Sequence, residues 1–296
     1  MARSRFAKDA GLSFRMGVTM FLNGLIYVVL ILGIWWALGR NPGGVVLALL
    51  ISGGIFWFQW YFSDSVAMRA MGARVVTPQQ APELHSLVDR LCQQADMPKP
   101  RVAFSDTPVP NAFATGRSPE HSVVCVTRGL LDRLEPKEVE AVLAHELSHV
   151  AHRDVTVMTV AGVTGVVASL MMRTFLYTGG NRNNNNNGLP VQLVLMLVGV
   201  VVYVLSFFLI RVLSRYRELA ADRAAALLTG SPSTLASALV KISDTASRLP
   251  KQDLRKSAGA AHLAFFEFGS LFSTHPSLEK RLSQLEKISG QLSTEY

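Results

Sequence analysis

Four long apolar segments constrain this 296-residue chain more than any other feature. They run from about Met16 to Leu38, Gly44 to Phe62, Val155 to Tyr177 and Leu189 to Ile210. At about 1.5 Å per helical residue, some 20 residues cross a hydrocarbon core of roughly 30 Å. Each segment is therefore long enough to span a bilayer as a helix. Composition agrees, because 49% hydrophobic and 17% charged residues are too apolar for an ordinary soluble protein of this size. Trp35, Trp36, Trp57 and Trp60 lie near segment ends, where interfacial aromatics belong. The first segment is too long for a signal peptide and no small-residue cleavage site precedes Arg40, so it reads as a retained anchor.

Flanking charge sets the expected orientation. Arg3, Arg5, Lys8 and Arg15 precede the first segment, Arg69 and Arg74 follow the second, and Arg211, Arg215 and Arg217 follow the fourth. The two intervening connections carry Arg40 and Arg182, with Arg173 near the outer end of the third segment. The positive-inside rule then puts both termini and residues 63–154 in the cytoplasm. The net charge of +8 is what cytoplasmic loops of such a protein collect, and no basic cluster interleaved with aromatics points to nucleic acid. Cys92 and Cys125 lack CxxC spacing and fall in the cytoplasmic stretch, so they are expected to be reduced, structural thiols. The polar run "TGGNRNNNNNG" reads as a flexible outer connector.

These boundaries predict an α+β membrane protein. Residues 1–62 form an N-terminal transmembrane hairpin, residues 155–210 a second one, and residues 63–154 and 211–296 build a mainly helical cytoplasmic domain with a small sheet. An amphipathic helix is expected from about Pro82, strands at "RVAFSD" and "SVVCVTRGLL", and helices at Ser231-Pro232 and Pro276.

Chemistry concentrates in "AVLAHELSHVAHRD", residues 141–154. Pro136 suits a first helical turn, with Glu135, Glu138 and Glu140 near its positive end. His145 and His149 are then four residues apart on one helical face, their Cβ atoms about 6 Å apart, a spacing that suits two nitrogens on one Zn²⁺. Glu146 is placed to act as general base on a water held there. His152 lies about 10 Å beyond His145 along the axis, too far to share the ion, and the glycine and third histidine of a metzincin are absent. HExxH is a short pattern that also arises in helices with decorative histidines. A third ligand must come from elsewhere, and "SRYRELAADRAA" offers Glu218, with Asp222 one turn on to orient a ligand histidine. The same segment also reads as a solvated charged helix, and the residue pattern alone leaves both open.

Taken together, "NAFATGRSPEHSVVCVTRGLLDRL", "EVEAVLAHELSHVAHRDV", "SRYRELAADRAAA" and "LFSTHPSLEKRL", in this order, resemble the HtpX-like membrane zinc metalloproteases, which are related to the CAAX prenyl proteases. The resemblance implies one zinc per chain held by His145, His149 and Glu218, with Glu146 activating water and Asp222 supporting a ligand histidine. It implies that Asn111, Ala112 and Phe113 belong to an edge segment binding an extended substrate backbone, an arrangement that takes affinity from main-chain hydrogen bonds. It also implies that His275 and Arg281 stabilise the tetrahedral intermediate, although His275 also suits a cap for a helix at Pro276.

The turn "DRLEPKEVE" is too charged to lie in lipid, so the catalytic helix is expected to meet the membrane only after Arg153 and Asp154. The predicted activity is that of a metalloendopeptidase, a hydrolase at the cytoplasmic face. Its substrates are misfolded or damaged membrane proteins or unfolded polypeptides, and the resemblance implies a part in quality control and stress response. The lipid bilayer is a partner, nucleic acid is not, and a homo-oligomer is compatible with the sequence. A prenyl-protein processing protease would share the zinc chemistry. A membrane scaffold or chaperone with structural zinc is disfavoured, because structural sites close all four positions with protein ligands.

Overall fold

A computed structural model of the protein describes residues 10–37, 42–154, 156–158, 191–248 and 276–294. The chain forms two compact units. One comprises residues 13–60 and 157–213, and the other residues 61–156 and 214–296 together with the N-terminal residues 1–12.

The first unit is helical in its described parts. It holds most of α1 (Ala10–Ala37), α2 (Pro42–Ala70) as far as Trp60 and α6 (Val191–Thr229) as far as Leu213. Among the described residues, Met196–Thr229 is long and apolar enough to cross a membrane, and Phe14–Val29 is a shorter apolar stretch. The third expected span and the asparagine-rich connector lie almost wholly outside the described residues. The fourth lies on a helix that runs on past Ile210, as α6, without a break to Thr229. One continuous helix therefore carries both the apolar segment and the acidic residues Glu218 and Asp222.

The second unit pairs a four-stranded sheet with packed helices, ordered β1 (Ala73–Val75), β2 (Arg101–Ser105), β4 (His121–Thr127), β3 (Ala112–Ser118). β2 and β4 are parallel, whereas β1 with β2 and β3 with β4 are antiparallel. The sequence reading places strands at β2 and β4 and leaves "NAFATGRSPEH" between them. In the structure most of that stretch is β3, which lies at one edge of the sheet opposite β1. The tail "RGLL" of the second predicted strand folds instead as the short helix α4 (Arg128–Leu131). Thr127 ends the strand, since its Oγ1 accepts the Leu130 N–H at 3.3 Å as an N-cap.

Helix α5 (Pro136–Ala151) is the centre of the unit. Proline occupies its first turn, and the Glu138 carboxylate accepts the Glu135 N–H at 2.9 Å. Glu138 also takes Ser237 Oγ at 2.7 Å and Lys241 Nζ at 2.8 Å from α7 (Pro232–Arg248). From Val139 to Val150 nearly every side chain is buried. Leu143 and Leu147 join α3 (Pro82–Ala95), the C-terminal part of α6, α7 and α8 (Leu278–Thr294) in one apolar core. A second cluster under the sheet joins Phe113 and Cys125 to Ala67 and Met71. Helix α8 begins two residues after Pro276. Both cysteines are free and buried, and burial pushes each thiol up to about 12.

Candidate metal centre

Two helices meet at the charged side chains of the core. Helix α5 presents His145 and His149 from successive turns, and α6 presents Glu218. All three are buried, and their ligand atoms lie within 4.8 Å of one another. The two Nε2 atoms are 3.2 Å apart. Each lies 3.5 Å from a different oxygen of Glu218.

The far nitrogens explain what this cluster needs. His145 Nδ1 sits 2.9 Å from Asp222 Oδ1, and His149 Nδ1 sits 2.6 Å from Asp154 Oδ2. Carboxylates at those distances call for N–H on each Nδ1, which leaves both Nε2 atoms as bare lone pairs. Two lone pairs and a carboxylate then converge on one buried point and repel one another unless a cation lies between them. Two nitrogens about 2.0–2.1 Å from a tetrahedral ion stand roughly 3.3 Å apart, close to the separation seen here. The donor set thus fits a metal ion. The same demand for positive charge appears in His145 itself. Burial opposes its protonation, yet Asp222 and Glu218 push its pKa up to about 9.

Asp222 is in turn gripped by Arg281 of α8, whose Nε and Nη2 donate to its two oxygens at 2.7 and 2.6 Å. Burial opposes the Asp222 charge, but Arg281 and His145 hold its carboxyl below the usual range. Arg281 is 1% exposed, and its Nη1 lies 3.9 Å from Glu218. The resemblance assigns Arg281 to the tetrahedral intermediate, whereas here its fork is closed on Asp222. His275, assigned with it, lies outside the described residues.

Glu146 follows the first histidine and is 6% exposed. Its Oε2 accepts the Ala114 N–H of β3 at 3.0 Å. Burial raises its pKa, the two histidines lower it, and Glu218 raises it again, leaving the carboxyl above its ordinary value. The Ala114 contact also orients β3. Asn111 O accepts the Thr127 N–H of β4, so the odd-numbered groups bond into the sheet and those of Ala112, Ala114 and Gly116 turn away from β4, the side on which Ala114 meets Glu146. Asn111, Ala112 and Phe113 are buried as whole residues, at 3%, 1% and 2% exposed. His152 stays apart from the cluster, and its Nδ1 donates to the Ser148 carbonyl at 2.7 Å at the end of α5.

Sequence reasoning missed Asp154 and Arg217. Asp154 is 1% exposed beside His149, and Arg217 Nε is 2.9 Å from its Oδ2. Arg153 adopts a left-handed φ of 56°, a turn that folds Asp154 back beneath the helix end. The usable signal was a carboxylate directly before an apolar run, which needs a partner to be tolerated there.

Comparison with known proteins agrees with this geometry. Residues 78–289 match peptidase family M48. Protease HtpX homolog 1 of Streptomyces coelicolor is 54% identical, over 98% of this chain and 97% of its own length. Protease HtpX homologs from Moorella thermoacetica and Methanosarcina acetivorans are 48% and 46% identical, each over 98% of this chain and at least 98% of their own. The fold is also similar to the crystal structure of S. mikatae Ste24p, with a TM-score of 0.53 at 18% identity, covering 94% of this chain and 67% of that one. A buried cluster fit for a metal, a carboxylate bonded to the outer side of a strand, and relatives that match from end to end converge on one assignment: the chain belongs to peptidase family M48 and is a metalloprotease of the HtpX type.

Proposed function

We propose that the chain is a zinc-dependent endopeptidase of the inner membrane that cleaves extended segments of misfolded or damaged membrane proteins at the cytoplasmic surface. The convergence of the two Nε2 atoms and Glu218 beside Glu146 carries this reading. Two imidazoles and one carboxylate are the ligand set of catalytic zinc, which keeps a fourth position for water. Zinc bound there would acidify water and polarise the scissile carbonyl.

The rest of the mechanism belongs to the chain. Glu146, held in place by the Ala114 N–H, takes the proton of the attacking water. The same carboxyl then delivers that proton to the leaving amine. Asp222, locked by Arg281, keeps the Nδ1–H tautomer of His145. A substrate would add as a strand along the outer edge of β3, with backbone groups of Ala112 and Gly116 and the Ala114 carbonyl as its partners, while the Ala114 N–H holds Glu146. A small hollow lined by Thr115, Arg117, His149 and Arg153 adjoins this strand.

The membrane setting rests on the apolar segments and the distribution of arginines and lysines. It comprises four spans, both termini and the active site on the cytoplasmic side, and a bilayer as the medium through which substrates arrive. In cells producing Glu146→Gln in place of the wild-type protein, cytoplasm-facing fragments of membrane proteins should disappear from the peptide pool. An unchanged fragment pattern would contradict the substrate class, and selective loss of prenylated C-terminal fragments would move the activity to the prenyl-processing branch.

A further inference from the structure

Asp154 and Arg217 have no part in the reaction derived so far, yet they repeat a device already seen at the site. On one side of the cluster the order is His145, Asp222, Arg281, and on the other His149, Asp154, Arg217. Asp154 Oδ2 is 2.6 Å from His149 Nδ1 and 2.9 Å from Arg217 Nε. Asp154 and Arg217 are 1% and 8% exposed. A buried carboxylate between two such groups holds its charge and can only accept, so it dictates which imidazole nitrogen carries hydrogen. The partners are also placed tellingly along the chain. Asp154 lies just before the point where the chain leaves this unit at Val157, and Arg217 just after it returns at Ser214. The ion pair pins the two ends of the intervening segment beside a metal-ligand histidine.

We propose that Asp154 and Arg217 are the positioning pair of His149, fixing its Nδ1–H tautomer and ring plane so that Nε2 faces His145 and Glu218 and the metal is retained. Neither residue touches the reacting atoms; both act through His149. The inference rests on the zinc reading above and predicts where the affinity for that ion comes from.

The test uses the full-length protein in detergent, with zinc affinity measured by competition against a fluorescent chelator. Asp154→Ala should weaken zinc binding about 10–100-fold, the usual effect of removing such a partner. Asp154→Asn should lose less, because its amide oxygen still accepts the Nδ1–H, and Arg217→Gln should fall between wild type and Asp154→Ala. The visible absorption of the Co²⁺-loaded protein should change in Asp154→Ala, reporting altered ligand geometry without any turnover. Arg90→Ala, which breaks an exposed pair between α3 and Glu140 of α5, should leave affinity and spectrum unchanged. A purely structural role would lower thermal stability while the folded variants kept wild-type affinity and absorption, and that result overturns the inference. Should Asp154→Ala not fold, the near-isosteric Asp154→Asn and Arg217→Gln decide the matter, and wild-type affinity in both overturns it. A wild-type protein that binds no zinc would overturn the metal reading and this inference together, whereas tight wild-type binding with unchanged variants overturns the inference alone.

Discussion

Each imidazole of the metal centre is held at its far nitrogen by a buried carboxylate, and each carboxylate is paired with an arginine. Deleting one member of such a buried pair strands the other, which costs about 3–5 kcal/mol. Arg281→Ala should therefore lower the unfolding free energy by about that amount, read by denaturant titration in detergent; a loss under about 1 kcal/mol would contradict the burial argument. Gly116 is the other sensitive single position. Its φ of 142° disfavours side chains, and an added Cβ would stand 2.2 Å from the His121 carbonyl oxygen. Gly116→Ala should destabilise the edge strand by more than about 1 kcal/mol. The thiols are simpler: with both pushed up to about 12 by burial, Cys92 and Cys125 should resist iodoacetamide until the protein unfolds. Rapid labelling of native protein would contradict that placement. Residues whose partners are one helical turn away were legible in the sequence, which is why His145 and His149 could be paired from spacing alone. Asp154 was not, because its contact depends on the left-handed turn at Arg153 rather than on any period.

Among the elements, α5 carries the greatest demand, since it supplies two ligand atoms and the Glu146 carboxylate from one buried rod. Its start is fixed by Glu138, which bonds Glu135 locally and Ser237 and Lys241 across to α7. Glu138→Gln should cost about 1.5–3 kcal/mol at neutral pH, the range for charge-assisted hydrogen bonds. Burial opposes the Glu138 charge, but Lys241, Ser237 and the Glu135 N–H hold its carboxyl below the usual range. A depressed carboxyl contributes stability above its unfolded pKa, near 4.3, and loses it as pH falls through the folded value. The gap between wild type and Glu138→Gln in thermal unfolding should thus be full at pH 7 and close below about pH 4. A gap that widened on acidification would contradict the pairing. Helices α3 and α5 were visible as periodic patterns with proline at their starts. Strand β3 was hidden from the residue pattern because "GRSPEH" reads as a loop; the family resemblance alone pointed to an edge segment at Asn111–Phe113, and pairing with β4 makes Ala112–Ser118 a strand.

At the level of the whole molecule, the chain is interrupted twice by apolar segments, and the catalytic unit is assembled from the pieces on either side. The apolar segments were legible from length and composition, but the continuity of α6 from its apolar half to Glu218 was not, because helical periodicity does not announce where a span ends. If the metal stabilises that assembly, added zinc should raise the unfolding temperature of the chelated protein in a concentration-dependent way. No rise at saturating zinc would contradict a site formed between α5 and α6.

The most direct test compares casein cleavage by wild-type protein and by Glu146→Gln after both are purified in detergent and shown to hold the same zinc content. The Glu146 carboxylate as proton acceptor predicts one zinc in each, cleavage by wild type that chelation removes and zinc restores, and a loss of at least about 100-fold in the variant, the lower end of general-base contributions. Cleavage by Glu146→Gln at the wild-type rate, with zinc bound, would contradict it.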